Sequence, residues 1–286
     1  MKYGINNPIE SKELAYETLI SGIKALEEMD FDSASKSMKK VLDYNSEMKF
    51  LEEDEELMAI EALGISLLGM ECYEEGIFYI KAVYDRVSSK NSTSNPLALD
   101  TLHSLGEAYM AIGQNNDALA VFRKEYHTRM ESGVIDEDVI KAGYQYSFAL
   151  RLEGKALEAI AIHKDNMEKI EKLHFDCNLA IAEIVELGNC YIALDKNEKA
   201  LDCFNMAYTF STIEYTENSA RSQDILLLKI KVLARLERFE AVIDLVEKAR
   251  EIETYVTDRT EEQEGFLKTL EYISKISMIG KEYNKI

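Results

Sequence analysis

The fold is decided by residues 102–122, which read LHSLGEAYMAIGQNNDALAVF. Apolar residues recur at helical spacing on both sides of residues 113–116, a short stretch of turn-forming Gly, Gln and Asn. This segment predicts a helix, a turn and a second helix. Residues 184–204, IVELGNCYIALDKNEKALDCF, show the same pattern again further along the chain. The chain is therefore expected to be built from internal repeats.

Further copies of the repeat appear when Gly106 is taken as a reference position and the sequence is stepped by about 41 residues in either direction. The residues reached are Gly22, Gly64, Gly106, Ser147, Gly188 and Lys229. Twelve residues after them stand Ala34, Gly76, Ala118, Ala159, Ala200 and Ala241. Small residues on both helices of a pair let the two axes approach closely. The spacing predicts six tightly packed helical hairpins.

Larger side chains recur sixteen residues after each reference position. They are Met38, Ile80, Phe122, His163, Phe204 and Leu245. Because this position lies on the same helical face in every copy, we expect its side chains in the core. His163 replaces the apolar side chain of the other copies, and we interpret it as a packed histidine.

The pattern resembles the tetratricopeptide repeat family, in which a Leu-Gly pair and a Tyr are followed by a turn and by Ala and Phe. The resemblance covers about residues 10–255. The usual repeat has about 34 residues and a closing proline, whereas the repeat of this chain is longer by about two helical turns and lacks the proline. Both differences resemble the repeats of kinesin light chains and of Rap-type bacterial peptide receptors. The resemblance implies an all-α, right-handed solenoid whose concave wall is lined by the first helix of each hairpin.

Domain boundaries follow from the repeat. We predict an N-terminal extension at 1–9, a repeat domain at 10–258, and a capping helix with a tail at 259–286. The six hairpins are expected near 10–48, 53–90, 97–133, 136–174, 176–214 and 218–255. Residues 88–96, SSKNSTSNP, have the composition of a loop, which could be a hinge or a plain connector.

Charge and composition exclude several classes of function. The chain of 286 residues has 33 Lys and Arg against 53 Asp and Glu, a net charge of −20 at pH 7. Nucleic acid and anionic membranes attract clustered basic residues, so neither is an expected partner. No apolar stretch approaches the roughly 20 residues of a membrane span, and no signal-peptide core is present. We predict a cytoplasmic protein with free thiols, whose partners are basic or neutral proteins or short peptides.

Motifs for catalysis or cofactor binding are absent from the sequence. It contains no phosphate-binding loop, dinucleotide glycine fingerprint, Cys-x-x-Cys pair, His-Glu-x-x-His or Gly-x-Ser-x-Gly. We therefore expect no catalytic residue, no cofactor and no metal site. The leading hypothesis is a non-enzymatic scaffold or adaptor that binds proteins or peptides in its groove. The alternative is a peptide-sensing receptor resembling the Rap and pheromone-receptor group without that group's N-terminal output domain.

The family resemblance identifies five positions in each copy that would face the groove. Two of them lie three and two residues before the reference position, and the others lie one, four and five residues after it. The candidate binding residues at these positions are Asn189, Arg151, Tyr144, Gln145, Phe148, His103, Glu107, Met110 and Glu186, and Lys141, six residues before its reference position, is a further candidate. Their amide and guanidinium groups are expected to pair with a main chain or carboxylate, and their aromatic and methionine side chains to anchor apolar groups. Asn189 is the leading candidate, because tetratricopeptide proteins often place Asn directly after the Leu-Gly pair.

In the sixth copy the equivalent wall positions are apolar. They are Leu226, Leu227, Ile230, Leu233 and Ala234. We expect these residues to be buried against the closing helix through Phe266, Leu267, Leu270 and Ile273, because an end repeat needs a cap. Self-association through the C-terminal repeats is the alternative.

Overall fold

The structure is a computed structural model and describes residues 9, 11–90, 95–173, 177–217, 219–254 and 261–283. In these ranges the chain forms thirteen α-helices and no strand, which confirms the predicted all-α class. The helices are α1 (Lys12–Glu27), α2 (Phe31–Met48), α3 (Glu53–Gly69), α4 (Tyr73–Lys90), α5 (Pro96–Ala111), α6 (Asn115–Glu131), α7 (Glu137–Leu152), α8 (Ala156–Leu173), α9 (Cys177–Ala193), α10 (Asn197–Glu214), α11 (Ala220–Arg235), α12 (Phe239–Thr254) and α13 (Glu261–Tyr283).

The helices belong to two compact units, residues 1–142 and 143–286, and the boundary falls inside α7. In the first unit α1 packs on α2, α3 on α4 and α5 on α6, and each hairpin also contacts the next. In the second unit α9 packs on α10, α11 on α12, and α13 on both α12 and α11. Antiparallel hairpins are thus the building block of each unit.

The reference glycines lie against the large side chains sixteen residues later. A Cβ atom added to Gly64 would lie 2.7 Å from the Ile80 side chain, and one on Gly188 would lie 2.7 Å from the Phe204 ring. The same relation joins Gly22 to Met38 and Gly106 to Phe122. All four large side chains are fully buried. Glycine is therefore required where the two helices of a hairpin come closest.

Each hairpin turn contains a residue in the left-handed backbone region, seven residues after the reference position. These residues are Met29, Glu71, Gly113, Gly154, Asp195 and Glu237. The following amide then bonds back to the last turn of the first helix, as Gln114 N does to Tyr109 O at 2.8 Å. This closure satisfies carbonyl groups that the helix leaves open at its C-terminus. The same closure in every copy confirms the predicted repeat.

The sixth copy is displaced by one residue from the predicted alignment. Its left-handed residue is Glu237, which moves the reference position from Lys229 to Ile230. Ile230 is fully buried, whereas a lysine at this helix contact would lose the hydration of its ammonium group. The same shift replaces Ala241 and Leu245 by Val242 and Val246 as core residues.

This shift also corrects the apolar wall predicted for the sixth copy. Leu226, Ile230 and Leu233 are core residues, each at most 5% exposed, and α11 contacts α13. Leu270 of α13 is fully buried, as expected of a closing helix. The side chains of Phe266 and Leu267 lie outside the described residues.

The predicted loop at 88–96 was too long, because residues 88–90 belong to α4. Asn95 caps α5, its Oδ1 atom accepting from Leu97 N at 2.9 Å, and Pro96 is the first helical residue. Residues 91–94, where a hinge would lie, are outside the described residues, as are 1–8, 255–260 and 284–286 of the predicted extension and tail. None of the described helices combines the length and the apolar composition that a membrane span requires.

Candidate functional site

Five of the candidate binding residues form one surface in the second unit, which we call the α7–α9 patch. It consists of Tyr144, Phe148, Arg151, Glu186 and Asn189. The three residues from α7 are spaced four and three apart, so they share a face of that helix. The two residues from α9 are three apart and share a face for the same reason. Gln145 is half-buried in the same turn of α7 as Tyr144.

A carboxylate joins the polar members of the α7–α9 patch. Arg151 donates from Nε to Glu186 Oε2 at 2.9 Å, and Asn189 donates from Nδ2 to Glu186 Oε1 at 2.8 Å. The Glu186 side chain is only 8% exposed, so it is a support for its two neighbours more than a contact surface. Because a carboxylate only accepts, the amide nitrogen of Asn189 must face it. The Asn189 oxygen and the terminal nitrogens of Arg151 are left to bind another molecule.

Two aromatic rings continue the patch along α7. The Tyr144 and Phe148 rings are stacked, with centroids 6.4 Å apart and planes inclined by 15°. The Arg151 guanidinium lies 4.9 Å from the Phe148 centroid, a cation–π geometry. Burial raises the pKa of Tyr144 to about 12, and the nearby Glu186 adds to the rise. The patch therefore combines a neutral aromatic surface with one hydrogen-bond donor and one acceptor.

The other four candidates, His103, Glu107, Met110 and Lys141, lie in the first unit. His103 is placed between two carboxylates, 3.4 Å from Glu107 on one ring nitrogen and 3.4 Å from Glu125 on the other. The Glu107 carboxylate and then the Glu125 carboxylate raise the pKa of His103 to about 10, against the opposite effect of burial. His103 is therefore an imidazolium at neutral pH. Lys141 is paired with Glu137 at 2.6 Å, and Met110 is half-buried.

A shallow depression of about 240 Å³ adjoins these residues. It is lined by Asp100, His103, Ser104, Arg129, Asp138 and Lys141. Arg129 bonds Glu125 at 3.0 Å and reaches Asp138 and Asp100 at 3.5 and 3.4 Å. These ion pairs neutralise the cations of the depression internally. It offers no unpaired charge comparable to the open donor and acceptor of the α7–α9 patch.

A buried polar cluster in the second unit was not predicted. Glu183 Oε2 lies 2.5 Å from His163 Nδ1, and Asn166 Nδ2 donates to Glu183 Oε1 at 2.7 Å. Ser147 Oγ lies 3.3 Å from the same His163 nitrogen, and all four residues are fully buried or nearly so. A catalytic Ser-His-acid triad uses both ring nitrogens of its histidine and an accessible serine. This cluster meets neither condition, so His163 is a packed histidine, as predicted.

These buried polar residues can be recognised in the sequence when equivalent positions of the copies are compared. Five residues before the reference position, Glu183 replaces Ala59, Thr101 and Ala142 of three other copies. Nineteen residues after it, Glu125 and Asn166 replace Val41, Val83 and Ala207. A charged or amide side chain at a position that holds small or apolar residues in most copies indicates a buried polar partner. The first copy also has a glutamate at the Glu183 position, Glu17, but this residue is exposed.

Metal and thiol chemistry find little support in the described part of the chain. No group of three His, Cys, Asp or Glu side chains is arranged there to hold a metal ion. Cys190 and Cys203 are buried, and burial raises the pKa of Cys190 to about 12 and that of Cys203 to about 11. Both thiols are therefore protonated and unreactive at neutral pH.

Known protein structures share this fold. No protein-family model and no curated protein matches the sequence. A kinesin light chain of Podosopora anserina with TPR-like repeats is 14% identical, covers 72% of this chain and 99% of its own, and gives a TM-score of 0.62. The quorum sensor NprR of B. thuringiensis is 12% identical over 92% of this chain and 70% of its own, with a TM-score of 0.66. RapI is 13% identical over 95% and 98%, with a TM-score of 0.62.

These similarities establish the fold and confirm the resemblance seen in the sequence. The chain has the all-α fold of tetratricopeptide-like repeat proteins. Function must be argued from the surface of this chain, because proteins with the same fold carry different sites.

Proposed function

We propose that this tetratricopeptide-like chain is a non-enzymatic module that binds a polypeptide segment on the α7–α9 patch. One observation carries the proposal. The Arg151–Glu186–Asn189 hydrogen-bond chain holds an open donor and an open acceptor beside two stacked aromatic rings. A peptide group offers a matching acceptor and donor, and its side chains supply apolar contact.

The charges of the patch favour a neutral peptide group over a free carboxylate. Glu186 is buried next to Arg151 and cancels its charge locally. The terminal nitrogens of Arg151 would donate to a peptide carbonyl, and the Asn189 oxygen would accept from a peptide N–H. Each such bond contributes about 0.5–1.5 kcal/mol. An apolar side chain placed against Tyr144 and Phe148 adds contact area with little loss of conformational entropy.

The net charge of −20 favours basic or neutral partners at long range. A cytoplasmic location and the absence of enzymatic activity are parts of the same proposal. In a peptide-sensing receptor, binding would also change the conformation of the chain. X-ray scattering with and without a bound peptide separates the two roles, because only the receptor would change its radius of gyration.

Selection from a displayed library of random linear peptides on the full chain tests the proposal. The affinity of a selected peptide is then compared between wild type and the triple variant Arg151→Ala, Glu186→Ala and Asn189→Ala. Removing Glu186 together with both its partners avoids leaving a buried unpaired carboxylate. Loss of two or three hydrogen bonds should weaken binding about 10–100-fold. Leu157→Ser, at an exposed position of α8, is the matched control.

The proposal requires full affinity in the control and unchanged helicity in both proteins by circular dichroism. Peptides that bind wild type and the triple variant equally would place the binding surface elsewhere. A library that yields no binding peptide would remove the polypeptide-binding role itself.

A further inference from the structure

The polarity of α13 is inverted relative to its packing. Tyr272, Ile276 and Ile279 are exposed by 66%, 48% and 56%. On the opposite side of the same helix Ser274 and Ser277 are buried. A helix at the surface of a protein normally turns its apolar stripe inward and its polar residues outward.

The orientation of α13 is fixed by specific contacts within the second unit. Leu270 is fully buried, and α13 packs on α11 and α12. Two ion pairs tie it to α12, Glu271 with Arg250 at 3.0 Å and Lys281 with Glu240 at 3.0 Å. The burial of Leu270, Ser274 and Ser277 on the opposite side of α13 turns the apolar stripe outward, and the exposed ion pairs add little to it.

The first helix of the other unit provides a contrast. On the side of α1 away from its buried residues stand Glu13, Glu17, Ser21 and Lys24, none of them buried, together with the apolar Ile20, which is 66% exposed. An outer face on which polar residues predominate is what the end helix of a repeat array needs to remain in water. The outer face of α13 differs because its exposed apolar residues form a continuous stripe, and such a stripe marks an interaction site.

Residue spacing and charge indicate what covers this face. Tyr272, Ile276 and Ile279 are four and three residues apart and fall within roughly 60° of the helix circumference, which matches the stripe of a second helix. Lys268 and Lys275 lie beside the stripe, are exposed, and form no ion pair with any described carboxylate. We propose that this face docks an amphipathic helix of a partner protein whose apolar stripe is flanked by Asp and Glu.

A second copy of the chain fits this face poorly. Two α13 faces packed antiparallel would bring Lys275 of one copy close to Lys275 of the other, near the centre of the contact. Like charges at such a distance oppose association. An acidic helix instead gives each lysine an opposite charge at contact distance, and this attraction acts against the screened long-range repulsion from the net charge of −20. This docking face is separate from the α7–α9 patch and does not depend on it.

Two synthetic helical peptides test the proposal against the full chain. Both span about five helical turns, with blocked ends and the same leucine stripe, and they differ only in flanking positions that are all Glu or all Lys. Fluorescence anisotropy at physiological salt should show at least tenfold tighter binding of the Glu peptide. Lys268→Glu with Lys275→Glu should reverse that preference without altering the apolar stripe. Ile276→Glu should abolish binding, and Ile20→Glu on exposed α1 is the matched control.

Circular dichroism establishes that each variant keeps the helicity of the wild type. Equal binding of both peptides, no binding of either, or a preference that survives the lysine double variant would overturn the proposal. Sedimentation of the chain alone tests whether a second copy of the chain covers this face instead. Self-association that Ile276→Glu abolishes would assign the face to a second copy and contradict the acidic partner helix.

Discussion

Removal of the Glu183 carboxylate should destabilise the second unit strongly. In the variant Glu183→Ala, His163 loses a contact of 2.5 Å and Asn166 loses a hydrogen bond of 2.7 Å, and both residues have no exposed surface. A buried polar group that loses its hydrogen-bond partner typically costs about 1–3 kcal/mol, so the losses at His163 and Asn166 together should cost about 2–6 kcal/mol. With a urea dependence of about 2 kcal/mol per molar, the unfolding midpoint should fall by about 2 M.

The matched control removes a carboxylate from an exposed pair in the same unit. Glu168 lies 3.6 Å from Lys172, and both side chains are about 70% exposed. Glu168→Ala should cost at most about 0.5 kcal/mol, since water already screens this pair. Urea unfolding followed by circular dichroism measures both variants. Hydrogen exchange in α8 and α9 then locates the loss.

A rescue variant tests the physical reason for the loss. One repeat earlier, the residues equivalent to Ser147, His163 and Glu183 are Gly106, Phe122 and Ala142. Combining Ser147→Gly, His163→Phe and Glu183→Ala should return stability to within about 2 kcal/mol of wild type, because apolar side chains of matching shape can replace buried polar groups at little cost. The remaining loss is that of Asn166, which no longer has the Glu183 carboxylate as a hydrogen-bond partner. Glu183→Ala unfolding at the same urea concentration as Glu168→Ala would refute the reasoning.

Three further predictions follow from the packing and the pKa shifts. Gly188→Ala should lower the free energy of unfolding by about 1–3 kcal/mol, because the added Cβ would lie 2.7 Å from a buried ring. Gly265→Ala, which has open space around it, should raise the free energy of unfolding by up to about 1 kcal/mol. Urea unfolding measures both. The pKa of His103 is raised from 6.5 to about 10, so its contribution to the stability of the fold is complete below pH 6.5 and is lost as the pH rises through 10. NMR should therefore show that the His103 ring is still protonated at pH 8. A neutral ring at pH 8 would contradict the two carboxylate contacts. Exposed Cys72 should react with a thiol reagent in the folded chain, whereas buried Cys190 should react only after unfolding, and equal rates would contradict the packing.

The repeat could be predicted because the close contact between the two helices of a hairpin restricts one position of each copy to very small residues. Where two helices of a hairpin touch, only a very small side chain fits, so glycine marks the position in the sequence. The sixth copy was misaligned because that mark is missing from it. Neither Lys229 nor Ile230 is small, and the left-handed turn residue is Glu237, which no turn rule would select.

The pairing of polar side chains could not be predicted in the same way. Glu186 and Arg151 are far apart in the sequence and lie in different copies, so their contact depends on how one hairpin sits on the next. The family resemblance suggested both Glu186 and Arg151 as binding residues. It gave no reason to expect that Glu186 is buried beneath Arg151. The inverted polarity of α13 was also missed, because the sequence pattern does not say which face of a closing helix is covered.

Photo-crosslinking at Phe148 tests the central claim most directly. Benzoylphenylalanine is placed at position 148 in one protein and at the exposed Leu157 in a control, and both are irradiated in the native cell extract. If the α7–α9 patch binds a polypeptide, irradiation should crosslink the protein labelled at position 148 to a discrete protein or peptide. The control labelled at position 157 should not give this adduct. Identical adducts at both positions, or none at 148, would contradict the account.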